Sequence, residues 1–247
     1  MAEKLYGKAK DYDELLDKQG YAQYEINKLT IEGVKNKPWY SGGVLFWMYN
    51  DCWPASGLSN IDFYGAPKAG FYGIKKAAQT VSATVNESGD AYNIIVSNET
   101  FENARGTLTV KLYDFKTKKT EIERIAVDAA PWNCDVVFSI DKAKNAGKAA
   151  ELLLEGDFKA YRQTFYCGLI GAVPYKDGQI AVERVTADDG KSGKIIVTAK
   201  DYARVVTLEA DALFSDNYFD LLPGETAEIE WQAFESVSDV KIYCWKK

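Results

Sequence analysis

The stretch "GVLFWMYNDCWPASGLSNIDFYG", residues 43–65, decides how the rest of the chain is interpreted. It begins with a bulky apolar run, Val44–Tyr49, that follows glycine and is typical of a buried β-strand. It continues as a polar and aromatic loop that contains Asn50, Asp51 and Trp53. This mixture of polar and aromatic side chains is unusual for a buried core, whereas loops carried by a rigid scaffold are common binding sites. Core packing alone therefore does not explain the residues that follow this strand.

Two predicted helices flank the strand. Apolar residues recur at helical spacing between Asp11 and Gly33, and a second helix is predicted from Ala66 to Gln79, where Pro67 suits the first turn. A helix, a strand, a loop and a helix form a piece of α/β architecture. Because a single strand leaves both of its edges unpaired, we infer that residues 1–79 belong to a larger α/β domain.

From Thr80 onward the sequence is predicted to be all-β. Short, partly alternating apolar runs are separated by turn residues, as in immunoglobulin-like sandwiches of about 100 residues. The predicted strands cover residues 91–98, 106–115, 119–127, 150–156, 160–167, 179–185, 193–200, 203–210, 227–232 and 239–245. We therefore predict a mainly β fold, in which an α/β segment, 1–79, precedes two immunoglobulin-like β-sandwich domains, 80–167 and 168–247.

Composition and charge exclude several classes of protein. With 247 residues, of which 47% are hydrophobic and 27% charged, the chain has the composition of a globular protein. The net charge of -6 argues against a nucleic-acid partner, because that binding depends on Lys and Arg neutralising phosphates. No apolar run approaches the roughly 20 residues of a membrane helix. The charged N-terminus is unlike a signal peptide, which favours an intracellular protein or a fragment whose own start is missing.

The lack of histidine narrows the possible chemistry further. Without histidine, Ser-His-Asp catalysis, Cys-His catalysis and His-ligated metal sites are excluded. Cys52, Cys134, Cys167 and Cys244 form no CxxC pair, so neither a zinc site nor a dithiol redox site is predicted. An enzyme would have to use carboxylates, a lysine or tyrosine base, or a cofactor. The sequence predicts no metal site and no cofactor.

Two motifs carry a resemblance to a known family. They are "GGVLFWMYNDCWPASGLSNIDFYGAPKAGFYGIKKA", residues 42–77, and "FSDNYFDLLPGETAEIEW", residues 214–231. Both resemble the C-terminal part of β-mannosidases of glycoside hydrolase family 2. The residues that fit the family pattern are Gly43, Leu45, Trp47, Asn50, Asp51, Trp53, Pro54, Ser59, Ile61, Asp62, Lys68 and Tyr72. Met48, Tyr49 and Leu58 depart from it, and the "FWMYN" run is also similar to exo-β-glucosaminidases.

The resemblance implies that residues 1–79 are the end of a (β/α)8 catalytic barrel, with Val44–Tyr49 as its eighth strand. Active sites of such barrels lie on the loops after the C-terminal ends of the strands. The implied substrate-binding residues are Trp47, Asn50, Asp51 and Trp53. An indole packs well on the C–H face of a sugar, and amide or carboxylate groups bind its hydroxyls, so Trp47 is implied to form the floor of the terminal sugar subsite.

The implied function is the hydrolysis of terminal β-linked mannose by a retaining exo-β-mannosidase. Retaining glycosidases need two carboxylates about 5–5.5 Å apart, and the resemblance places both glutamates upstream of Met1. No catalytic residue is therefore assigned here, and the chain alone is predicted to be inactive. The implied partners are carbohydrate and the rest of the barrel. An exposed barrel strand also predicts a homodimer of the isolated chain.

Other interpretations stay open. The parent protein could be a related exo-β-glucosaminidase or another family 2 glycosidase. In a different class, the chain could be a non-catalytic carbohydrate-binding or structural β-sandwich module, which its 13% aromatic content would suit. Trp47 is also compatible with a core position, and Trp53 with loop packing. Asp51 could orient the loop by accepting hydrogen bonds from backbone N–H groups.

Overall fold

A computed structural model of the chain describes residues 2–37, 40–175 and 179–246. The helices are α1 Ala2–Tyr6, α2 Tyr12–Lys35, α3 Ala69–Ala77 and α4 Lys142–Asn145, with a 3-10 turn at Ile170–Ala172. The strands are β1 Val81–Ser88, β2 Ala91–Asn98, β3 Ala104–Asp114, β4 Lys119–Ala129, β5 Asn133–Asp141, β6 Lys148–Gly156, β7 Tyr161–Tyr166, β8 Ile180–Thr186, β9 Ser192–Ala199, β10 Ala203–Glu209, β11 Leu213–Phe214, β12 Phe219–Leu221, β13 Thr226–Gln232 and β14 Lys241–Tyr243. None of the described helices is both long and apolar enough to span a membrane.

Helices α2 and α3 form close to the predicted positions. Asp11 caps the N-terminus of α2, where its carboxylate accepts a hydrogen bond from the N–H of Glu14 at 2.8 Å. Helix α3 begins later than predicted because residues 66–68 pair with residues 60–62 in an antiparallel bridge, in which the N–H of Asp62 donates to the carbonyl of Ala66 and the N–H of Lys68 to the carbonyl of Asn60. The two helices pack so closely that a Cβ atom on Gly73 would lie 2.2 Å from the backbone oxygen of Tyr24. Glycine is therefore required at that crossing.

The strand predicted over residues 44–49 is not formed, which corrects that prediction. Among the described residues the segment has no strand partner, and the nearest pairing is an isolated parallel bridge between Asn50 and Ile61. A strand needs neighbouring strands to satisfy its N–H and C=O groups. The side chains nevertheless alternate as in a strand: Val44 and Phe46 are half-buried, whereas those of Leu45 and Trp47 are exposed.

The first β-sandwich consists of an antiparallel sheet of order β1-β2-β5 and another of order β4-β3-β6-β7. Seven strands in sheets of three and four match an immunoglobulin-like sandwich. The fully buried side chains between the sheets include those of Ile94, Leu108, Val110, Leu152 and Tyr161. Alternating apolar residues on β3 and β6 supply seven of the sixteen buried residues of this core, as the period-2 pattern predicts.

The second β-sandwich also has sheets of four and three strands, with orders β11-β13-β9-β8 and β12-β10-β14. Its core is continuous with aromatic residues of the helices, so that Tyr21 of α2 and Tyr72 of α3 belong to the same cluster as Phe214 and Ile229. The structure therefore confirms a mainly β fold with immunoglobulin-like sandwiches preceded by a helical segment. The domain boundaries at 79 and 167 stay predictions.

Polar contacts connect helix α2, the first sandwich and the second sandwich. The hydroxyl of Tyr161, in the first sandwich, donates to the carboxylate of Glu32 in α2 at 3.3 Å. The ammonium of Lys111, also in the first sandwich, lies 2.7 Å from the carboxylate of Glu225, just before β13 of the second. The first sandwich is thus joined both to α2 and to the second sandwich.

Candidate functional site

The two candidate tryptophans are exposed. Trp47 is 90% exposed and Trp53 is 68% exposed, so neither indole is part of a core in this chain. Trp47 lines a groove of about 710 Å³ together with residues of α2, with Leu58 and with Lys68. The alternative interpretation of Trp47 as a core residue is therefore not what the structure shows.

Backbone hydrogen bonds close the candidate loop at its base. The N–H groups of Asn60 and Ile61 donate to the carbonyl of Tyr49 at 3.1 and 3.0 Å, and the N–H of Asp51 donates to the carbonyl of Ile61 at 3.1 Å. The side-chain amide of Asn50 donates to the carbonyl of Asp51 at 3.2 Å. These bonds bring residues 49–51 and 60–61 together and leave the residues between them as a separate loop.

Asp51 lies beneath this loop and is only 5% exposed. Its carboxylate forms an ion pair with the ammonium of Lys68. Hydrogen bonds from Lys68 and from the hydroxyl of Ser59 hold the pKa of Asp51 below its usual range. The described partners of this carboxylate are thus side chains, whereas the sequence predicted backbone N–H groups. Asp62 is bonded in that predicted way, because its carboxylate accepts from the N–H groups of Tyr64 and Ala66 at 2.9 and 2.8 Å.

Lys68 contacts other residues of the loop in addition to Asp51. Its ammonium lies 2.9 Å from the hydroxyl oxygen of Ser59, 3.1 Å from the carbonyl of Gly57 and 3.4 Å from the carbonyl of Ala55. Lys68 fits the family motif but is not one of the four substrate-binding residues that the resemblance implies. Seventeen residues separate it from Asp51, and no local spacing rule links them.

Helix α2 supports the other side of the loop. The amide of Gln23 donates to the carbonyls of Leu58 and Ser59 at 2.6 and 3.0 Å. The amide of Asn27 donates to the side-chain oxygen of Asn60 at 2.8 Å, and both residues are buried. The loop is therefore fixed on two sides by buried or half-buried polar contacts, while Trp53 within it and Trp47 just before it are exposed.

Exposed indoles on a fixed loop suit a sugar-binding surface, because the apolar face of a sugar ring packs on an aromatic ring. Asn50 is exposed beside them and can bond hydroxyl groups. Asp51 is different, since its carboxylate is buried and bonded to Lys68. Within the parts of the chain that the structure describes, no group of three or more Cys, Asp or Glu side chains is arranged to hold a metal ion.

Comparisons of the sequence with known proteins find similarity to mannosidases. The family model of the mannosidase Ig-fold domain matches residues 176–242. β-Mannosidase B of Aspergillus niger is 24% identical over 214 residues, which are 77% of this chain and 25% of that protein. β-Mannosidase B of Thermothelomyces thermophilus is 22% identical over 221 residues, or 77% of this chain and 26% of that protein. The aligned region thus spans about a quarter of the length of these relatives.

Solved structures show the same fold. The β-D-mannosidase of Dictyoglomus thermophilum superposes with a TM-score of 0.88 and 17% identity, over 99% of this chain and 31% of that one. The exo-chitosanase of Amycolatopsis orientalis superposes with a TM-score of 0.75 and 19% identity, over 100% of this chain and 35% of that one. The fold of the described residues is therefore one found in larger glycosidases.

Proposed function

We propose that this chain forms one side of the sugar-binding pocket of a longer glycosidase, on the premise that it belongs with the C-terminal parts of β-mannosidases of glycoside hydrolase family 2. The Ig-fold match, the β-mannosidase relatives and the common fold agree on that premise. The observation that carries the proposal is the pair of exposed tryptophans, Trp47 just before the loop and Trp53 within it, because both indoles are exposed while the base of the loop is held by buried contacts.

The surroundings of this loop support its place in a barrel. Val44 and Phe46 line a cavity with residues of α2 and α3, whereas Leu45 is fully exposed. In a (β/α)8 barrel one face of each strand packs on the helices and the other faces the interior. We infer that residues 44–49 become the eighth strand once the rest of the barrel supplies its neighbours.

The proposed roles of the site residues follow from their exposure. Trp47 forms the floor of the terminal sugar subsite, and Trp53 provides a second apolar contact. Asn50 hydrogen-bonds sugar hydroxyls. Asp51 belongs to the same site, where its ion pair with Lys68 orients the loop that carries Trp53.

The proposed reaction is the hydrolysis of terminal β-linked mannose with retention of configuration. Both carboxylates of that mechanism would come from barrel strands outside this chain, and their separation would be about 5–5.5 Å. This chain would then contribute substrate contacts and a brace of two sandwiches, but no acid, base or nucleophile. Alone, it would hydrolyse nothing.

A β-linked amino sugar is the second candidate substrate. The superposition on an exo-chitosanase favours it, since that structure matches the whole of this chain. The two substrates differ at the 2-position of the sugar, and the groups that distinguish them would be supplied by the rest of the barrel as well as by this loop.

The test is the hydrolysis of 4-nitrophenyl β-D-mannoside and 4-nitrophenyl β-D-glucosaminide by the full-length protein that contains this chain. Trp47→Ala should lower kcat/KM on the preferred substrate by about 100-fold, which corresponds to a lost contact of about 3 kcal/mol. Phe101→Ala is the matched control, because Phe101 is an aromatic residue of the first sandwich that is 84% exposed. An equal effect of both substitutions would contradict the assignment of Trp47.

A further inference from the structure

The loop of residues 51–59 contains neither helix nor strand, so its conformation depends on side-chain contacts. The contacts that span it converge on one ammonium group. The Nζ atom of Lys68 contacts oxygen atoms at the beginning, in the middle and at the end of the loop, belonging to Asp51, Ala55, Gly57 and Ser59. The backbone N–H of Lys68 also donates to the carbonyl of Asn60 at 2.9 Å.

These contacts leave the ammonium without a free proton. An ammonium has three N–H donors, and four oxygens surround this one at hydrogen-bonding distance. The Lys68 side chain is 19% exposed, and the carboxylate that balances its charge is 5% exposed. Lys68 is thus poorly placed to bind a substrate directly, and its charge is used within the protein.

The packing around the pair is tight. A Cβ atom on Gly57 would lie 3.1 Å from the Oδ1 atom of Asp51, so the loop wraps closely around the carboxylate. Trp53 lies in the sequence between Asp51 and Ala55, two residues that the same ammonium holds. The backbone on both sides of this indole is therefore tied to one point, while the indole itself is 68% exposed.

We propose that Lys68 is a positioning residue that fixes the loop of residues 51–59 so that Trp53 is presented to the sugar. This inference rests on the proposed function. Lys68 acts through Asp51 and the loop carbonyls and does not touch the substrate. Removal of its charge leaves the buried carboxylate of Asp51 unpaired, and the loop then loses its common anchor.

The test uses Lys68→Met in the full-length protein that contains this chain, because methionine keeps most of the side-chain length and removes the ammonium. We expect KM for the preferred aryl glycoside to rise about tenfold with kcat changed less than about twofold, since the loop acts in substrate binding. Amide hydrogen exchange of residues 51–59 should become faster. Asp51→Asn should have the same effects, and the double variant should be no worse than either single one.

Lys76→Met is the matched control. Lys76 lies in α3, the helix that begins directly after Lys68; it is 7% exposed and forms an ion pair with Asp216, so its loss is equally a loss of a buried lysine contact. This variant should be less stable than the wild type but should keep the wild-type KM and the wild-type exchange of residues 51–59. Lys68→Arg should restore part of the wild-type KM, because a cation again faces Asp51.

Hydrogen exchange separates failure of this inference from failure of the proposed function. If the wild type hydrolyses none of the glycosides, the proposed function and the role of Lys68 toward sugar are overturned, even if Lys68→Met loosens the loop. If the wild type is active and Lys68→Met changes neither KM nor exchange, only the inference is overturned. Faster exchange with an unchanged KM also overturns it, as do additive effects of Lys68→Met and Asp51→Asn.

Discussion

Arg204 and Asp220 form an ion pair that is almost completely removed from solvent. The Nη1 atom of Arg204 lies 2.5 Å from the Oδ2 atom of Asp220, and each residue is 5% exposed. The same carboxylate accepts hydrogen bonds from the hydroxyl of Tyr202 at 2.5 Å and from the N–H of Val205 at 2.8 Å. The guanidinium lies 5.0 Å from the ring centre of Tyr21 in α2. The pair thus joins the second sandwich to the helix that supports the candidate loop.

Asp220→Asn should therefore be strongly destabilising. The substitution leaves a buried guanidinium without its counter-charge, and we expect a loss of about 3 kcal/mol or more in the free energy of unfolding. Urea denaturation at pH 7 measures it. Asp239→Asn is the control, because Asp239 pairs with Arg184 at the surface and should contribute less than about 1 kcal/mol. Equal losses would contradict the role of the buried pair.

The crossing of α2 and α3 predicts opposite effects for two Gly→Ala substitutions. Gly73→Ala would place a Cβ atom 2.2 Å from the carbonyl oxygen of Tyr24, so the helices must separate and we expect a loss of about 1–3 kcal/mol. On the exposed side of α2, a Cβ atom added at Gly33 would have no other atom within 4 Å. Gly33→Ala should therefore stabilise the protein by about 0.5–1 kcal/mol. Thermal denaturation measures both. A loss at Gly33 as large as that at Gly73 would show that helix crossing is not the cause.

Buried tyrosines predict a loss of stability at alkaline pH. Burial raises the pKa of Tyr21, Tyr24, Tyr161 and Tyr202 well above the usual value. Because the folded-state pKa is raised, the contribution of each neutral hydroxyl is fully present below about pH 10, the pKa in the unfolded chain, and is lost as the pH rises above it. Tyrosinate absorbance and circular dichroism, recorded together, should show these four groups ionising as the chain unfolds. Ionisation of every tyrosine in a chain that stays folded would contradict their burial.

Glu151 of the first sandwich and Glu225 of the second share the cation Lys111, which couples the two sandwiches. Glu151 is fully buried in the first sandwich, where its carboxylate bonds to Lys111 at 2.9 Å and to the Nε atom of Arg162 at 2.8 Å. Glu151→Gln should cost about 3 kcal/mol, because the fully buried carboxylate loses its charge and the half-buried Lys111 and Arg162 keep only Glu225 as a counter-charge. Glu225→Gln removes the charge that the second sandwich places beside Lys111. Because Glu225 is partly exposed, this substitution should cost about 1 kcal/mol or less.

Calorimetry distinguishes these two variants. Glu225→Gln should leave the first sandwich as stable as before and separate the melting of the two sandwiches, whereas Glu151→Gln should lower the melting temperature of the first. A single unchanged transition in both variants would contradict the proposed coupling.

Much of the β architecture could be predicted from local pattern. Strand β2 has the predicted bounds, 91–98, because the apolar run Ile94–Val96 is followed by turn residues. Strands β1 and β5 were not predicted. In β1 the buried positions include Ser82 and Thr84, polar residues whose burial depends on pairing with β2 and not on their own hydropathy. The apolar pattern alone cannot identify such a strand.

The candidate site could be predicted only in part. Its aromatic residues were visible as an unusual run after an apolar segment, and the structure places Trp47 and Trp53 at the surface. The pairing of Asp51 with Lys68 depends on a loop that returns to the start of α3, and no periodicity reports that return. Residues 44–49 form no strand in the described structure, because an apolar pattern predicts extended backbone but does not report whether neighbouring strands are present to pair with it.

We propose that this chain supplies substrate contacts but no catalytic carboxylate to a longer glycosidase. Hydrolysis of 4-nitrophenyl β-D-mannoside by the full-length protein tests this, with the 247-residue chain measured beside it at equal concentration. We expect turnover by the full-length protein and none by the chain. Turnover by the chain alone would contradict it, because a carboxylate pair within these residues would then carry out the reaction.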